Sequence, residues 1–196
     1  KSKSKIRSDR ILQKARDFLD KGKNEKAIEA VDQILTGEVH DEDLMTFLIA
    51  SRISAFASVN LKNYDKAAET ALQALKFRDD IPDFFYILTL SYAGMEELDQ
   101  AEEYAGKFLA LVSRQQHECN IPDMLAETRS KTYLVYNLLG TALREQERYE
   151  EAGQAFEKSY NDNPEYAAAY INHAKLLHGL GDDDGACRVF NLALQN

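Results

Sequence analysis

Three short stretches of the chain gather side chains that could do chemistry. His117-Glu118-Cys119 sets an imidazole, a carboxylate and a thiol in succession. Neighbouring residues on a helix point in different directions, so these do not converge on one metal without ligands from elsewhere. Gly181-Asp182-Asp183-Asp184-Gly185 is rich in carboxylates, but a calcium loop needs alternating ligands over about twelve residues and a closing Glu. Gly and Asp in such a run serve as turn and helix cap, and that is the expectation here. His173 and His178 are separated by a spacing less suited to one helix face than three or four residues. No G-x-S-x-G elbow, no G-x-x-x-x-G-K-[ST] phosphate loop and no G-x-G-x-x-G following a strand occurs. No catalytic residue, metal site or cofactor is therefore expected, and a non-enzymatic role follows.

The elements that carry these residues read as helices. Of 196 residues, 44% are hydrophobic, enough for a continuous core, and only three prolines and nine glycines interrupt the chain. Ala, Leu, Glu, Lys and Gln are plentiful, which favours an all-α fold. A formal charge of −9 repels phosphate backbones and anionic bilayers, so neither nucleic acid nor membrane is expected as a partner. Lys1, Lys3, Lys5 and Arg7 belong to a solvated lead-in, residues 1–7. No apolar run approaches the roughly 20 residues of a membrane span. Cys119 and Cys187 lack C-x-x-C partners, which suits reduced thiols and a cytoplasmic protein. A start at Lys1 without methionine and an end at Asn196 inside a helical pattern are what a piece of a longer protein would show.

The chain repeats itself. Tyr136, Leu139, Gly140, Tyr149, Ala152, Phe156 and Pro164 form one unit, and Tyr170, Ala174, Gly181, Ala186, Phe190 and Ala193 follow in the next. Working backwards, Ala27, Ala67 and Ala101 anchor earlier units, giving anchor spacings of 40, 34, 51 and 34 residues. Small residues at these places let two helices approach closely while aromatic and Leu side chains fill the remaining space. Acidic residues open most of the second helices, Asp65, Asp99, Glu150 and Glu151 among them, where they suit the positive end of the helix dipole.

These offsets resemble the signature of the tetratricopeptide-repeat (TPR) family. The resemblance covers roughly residues 8–115 and 133–196 and is weakest in the first unit, where Lys14 and Asn24 replace the expected Leu and aromatic. It implies a right-handed superhelical solenoid of about five antiparallel helix pairs. Repeats are expected at 8–41, 48–81, 82–115, 133–166 and 167–196, within one domain spanning 8–196, with an insert at 116–132. Within the insert, Asn120-Ile121-Pro122-Asp123 reads as a break followed by a helix start.

In this family the first helices of successive pairs line a concave groove that holds an extended or helical peptide. By position the resemblance assigns to that groove Arg52, Phe56 and Asn60, then Asp83, Tyr86 and Leu90. It adds Leu134, Asn137, Thr141 and Arg144, then Ala168, Ile171, Asn172, Lys175 and His178. Phe56 stands where chaperone-binding members carry an Asn, which argues against their carboxylate clamp. The expected function is a protein-interaction scaffold that binds a partner protein or peptide. The alternative is an accessory domain of a larger enzyme, because 77–88 and 136–140 are similar to TPR extensions of bacterial family 2 glycosyltransferases. Self-association through the last repeat is a further expectation, since the pattern ends at Leu194 without a polar capping helix.

Overall fold

A computed structural model describes residues 3–40, 43–115 and 127–195. Among them ten α-helices follow one another: α1 (Lys3–Asp20), α2 (Asn24–Leu35), α3 (Leu44–Asn60), α4 (Tyr64–Leu75), α5 (Pro82–Gly94), α6 (Leu98–Gln115), α7 (Thr132–Glu145), α8 (Tyr149–Asp162), α9 (Ala167–Gly179) and α10 (Asp183–Ala193). A short 3-10 helix, Glu127–Lys131, leads into α7. The proposed helix start at Pro122 and the His117-Glu118-Cys119 triplet lie outside the described residues. Helix α1 opens at Lys3, so part of the expected lead-in belongs to the first helix.

Each antiparallel pair closes through one repeated turn. A single residue with left-handed backbone follows the first helix in all five pairs: Gly22, Lys62, Glu96, Glu147 and Gly181, with φ between 60° and 81°. Around it two hydrogen bonds recur, as where Asn63 N–H donates to Ser58 O at 2.9 Å and Lys62 N–H to Val59 O at 2.9 Å. Such crossed bonds satisfy the last carbonyls of the first helix and reverse the chain within three residues. Each anchoring alanine lies five residues after the left-handed position, and all five are buried: Ala27, Ala67, Ala101, Ala152 and Ala186.

The pairs stack as α1/α2, α3/α4, α5/α6, α7/α8 and α9/α10, each second helix also packing on the next first helix. First helices touch one another along the stack, while second helices do not pack on one another to a comparable extent. The array therefore bends with the first helices on its inner face. Helices α3 and α5 lie between neighbours on both sides, which is why their buried residues run all the way round rather than along one stripe. Stacking explains the fate of two equivalent aromatics. Phe156 is fully buried under α9, whereas Phe190, 34 residues on, is 46% exposed because no further described helix covers it.

Candidate functional site

The inner face divides into two halves of different character. In the N-terminal half, α3 carries Arg52 and α5 carries Asp83 and Tyr86, all three buried. Arg52 Nε donates to Asp83 Oδ2, and Arg52 Nη2 donates to Glu127 Oε2 at 2.5 Å. Glu127 Oε1 accepts from Arg16 Nη2 on α1 at 2.5 Å. Asp83 Oδ1 accepts two bonds from Thr128, one from its backbone N–H at 2.9 Å and one from its hydroxyl at 2.6 Å. The Arg52 guanidinium sits 4.8 Å from the centre of the Phe56 ring, and that ring lies 6.2 Å from Tyr86. Burial, with Tyr133 and Tyr166 adding to it, pushes the Tyr86 hydroxyl up to about 12. The 3-10 helix before α7 thus crosses back over the first helices as far as α1.

The C-terminal half is more open. Asn137 on α7 accepts a bond at 2.9 Å from Asn172 Nδ2 on α9, so the two amides expected in the groove are brought together. Thr141 is half-buried, its hydroxyl turned back onto Asn137 O at 3.0 Å. Arg144 pairs with the neighbouring Glu145 at 2.7 Å near the end of α7, and Lys175 is exposed on α9. Leu90 is half-buried against the cluster of Tyr86, Phe108 and Val135. His178 does not face His173. It pairs with Asp183 at 2.6 Å on the surface, while His173 lies against Tyr160 and Phe156. Burial holds the His173 imidazole below its ordinary value, opposed by Glu157.

Asp182 caps α10, its Oδ1 accepting from Gly185 N–H at 2.8 Å, which is the turn-and-cap role expected of the aspartate run. Among the described residues no three His, Cys, Asp or Glu side chains gather in a way that could hold a metal. No helix among them is long and apolar enough to cross a membrane. Sequence reasoning did not single out Arg16, Glu127 or Thr128. The available signal was a charged residue on each of three successive first helices, Arg16, Arg52 and Asp83, beside an insert containing an acid.

A stack of helix pairs with no convergent reactive groups among the described residues defines a helical-repeat protein of the solenoid class. Residues 133–166 match the model of the family described as tetratricopeptide repeat. Solved structures of MamA share the fold. MamA from Desulfovibrio magneticus RS-1 superposes with a TM-score of 0.74 at 16% identity, covering 96% of this chain and 93% of the other. A crystal structure of MamA gives 0.71 at 20% identity over 92% of each chain, and another gives 0.73 at 19% over 96% and 90%. Among curated proteins, none matches. The similarity of 77–88 and 136–140 to glycosyltransferase extensions is not shown by these relatives.

Proposed function

We propose that the chain is a non-catalytic scaffold that holds a partner protein or peptide on the inner face of one TPR array, spanning 8–196 with repeats at the positions given above, in a cytoplasmic setting. One observation carries this reading. The amides of Asn137 on α7 and Asn172 on α9 are tied to each other, Lys175 is exposed on α9 one turn beyond Asn172, and Arg144, paired with Glu145, stands near the end of α7. Paired amides and nearby cations suit a peptide, whose backbone groups and carboxylates form charge-assisted hydrogen bonds. In the other half Phe56 and Leu90 are half-buried beside the buried Tyr86 and the Arg52–Asp83–Glu127 ion pairs. The test is a pull-down with the wild-type chain set beside Arg144→Glu/Lys175→Glu, bound proteins being identified by mass spectrometry. A specific partner retained by the wild type and lost from the variant supports the reading. A catalytic activity measured in the purified chain would overturn it.

Self-association is a second reading favoured by a separate observation. Leu180, Phe190 and Leu194 are 52%, 46% and 85% exposed at the last pair, the largest apolar exposure at that end. Sedimentation of the wild type and of Phe190→Glu/Leu194→Glu decides it: a dimer lost in the variant supports a contact there, and a wild-type monomer removes it.

A further inference from the structure

Glu127 and Thr128 lie where a bound peptide would. The side chains that hold them, Arg16, Arg52 and Asp83, stand on the first helices of three successive pairs, and the segment itself belongs to no pair. Two arginines from two helices engage the two oxygens of one carboxylate, each at 2.5 Å. One aspartate oxygen accepts both the N–H and the hydroxyl of the following residue. These groups together read an acid followed by a hydroxyl residue, which is a two-residue sequence preference built from side chains on a rigid frame.

The charges point the same way. The chain carries −9 overall, yet Arg16, Arg52 and Asp83 together leave one net positive charge at this socket, which a carboxylate neutralises. Asp83 is fully buried and Arg52 nearly so. Stacking on Phe56 holds the Arg52 guanidinium in place. An emptied socket leaves Asp83 without two of its donors, so the open state is costly and sparsely populated until a ligand supplies the same groups.

We propose that the Arg16–Arg52–Asp83 socket recognises a partner segment carrying Glu or Asp followed by Thr or Ser, and that Glu127–Thr128 is the resident ligand the partner displaces. This rests on the inner-face scaffold reading and names the chemistry of its N-terminal half. A resident ligand lowers the apparent affinity of any competitor by the fraction of time the socket is open. Removing it should therefore tighten binding.

The experiment titrates a capped peptide, Glu-Thr-Arg-Ser-Lys, into the full chain and into Glu127→Ala/Thr128→Ala, following the Arg16 and Arg52 Nε–H resonances by NMR. The expected result is binding at least about tenfold tighter to the variant than to wild type, with an Ala-Ala-Arg-Ser-Lys control leaving both resonances unmoved. Equal binding to both chains, equal response to the control peptide, or no response in the variant overturns the proposal. Glu127→Gln, which keeps the shape of the side chain, should give an intermediate gain. If both variants lose their helical circular dichroism, the segment is a structural brace and the proposal falls. A wild-type dimer converted to monomer by the double variant would assign the socket to exchange between copies and overturn the partner reading. None of these failures touches the Arg144/Lys175 pull-down, whose residues lie on α7 and α9.

Discussion

Gly140 on α7 and Phe156 on α8 meet so closely that a Cβ on the glycine would stand 2.6 Å from Phe156 Cε1 and 2.7 Å from Cδ1. The ring is fully buried and cannot turn aside without disturbing α9. Gly140→Ala therefore gains helix propensity of about 1 kcal/mol but, with three contacts at or under 3.0 Å against a buried ring, incurs overpacking strain at the upper end of the usual range, about 2–3 kcal/mol. Gly106 on α6 has no atom within 4 Å of such a Cβ, so Gly106→Ala gains about 0.5–1 kcal/mol without strain. Thermal denaturation should move the two variants in opposite directions, and a Gly140→Ala chain as stable as wild type would contradict the packing.

The left-handed turn positions give a second test. Lys62, Glu96 and Glu147 hold φ near 60°, where a side chain costs about 1 kcal/mol relative to glycine. Glycine at each of the three should raise the Tm, and the effects should add because the turns belong to different pairs. Gly181→Ala, at φ 81°, should lower it. A lower Tm in all three glycine variants would show that the turns are not held in this conformation.

Breaking the ion pair between α3 and α5 should be costly. Arg52→Met leaves Asp83 fully buried without its cation, a loss on the order of 3–5 kcal/mol in urea denaturation. Adding Asp83→Asn removes the orphaned charge while keeping an oxygen for Thr128. The double variant should therefore be more stable than the single one. Equal or additive losses would mean the two side chains do not depend on each other.

Stability should fall with acid partly through His173. Burial holds its folded pKa below the ordinary value of 6.5. The unfolded chain therefore binds the proton first, and stability present above about pH 6.5 is lost as pH falls through the folded pKa. Glu157 opposes this shift, and Tyr160 faces the ring at 3.3 Å. In His173→Gln the drop in Tm between pH 7 and pH 5 should be smaller than in wild type. An unchanged slope would assign the acid sensitivity to other groups.

Much of the architecture was legible because it is local. The anchoring alanines and the aromatic positions recur with a period that any helix pair must respect, and acidic residues mark the starts of second helices where the dipole favours them. Three of the five turns were not legible, since Lys62, Glu96 and Glu147 occupy a conformation for which glycine is the usual sign. Of the residues assigned to the groove, the structure ties Asn137 to Asn172 and draws Arg52 into a buried ion pair.

The sequence by itself determined that the chain forms helix pairs and which alanines lie between the helices, because helix periodicity and close packing act over a few turns. Tertiary structure alone decided what occupies the inner face. Arg52 meets Asp83 across 31 positions of chain, Glu127 across 75, and Glu127 meets Arg16 across 111. Separations of that length carry no local pattern. Only the stacking of first helices, with the segment before α7 laid across them, brings two arginines and an aspartate to one acid and one hydroxyl.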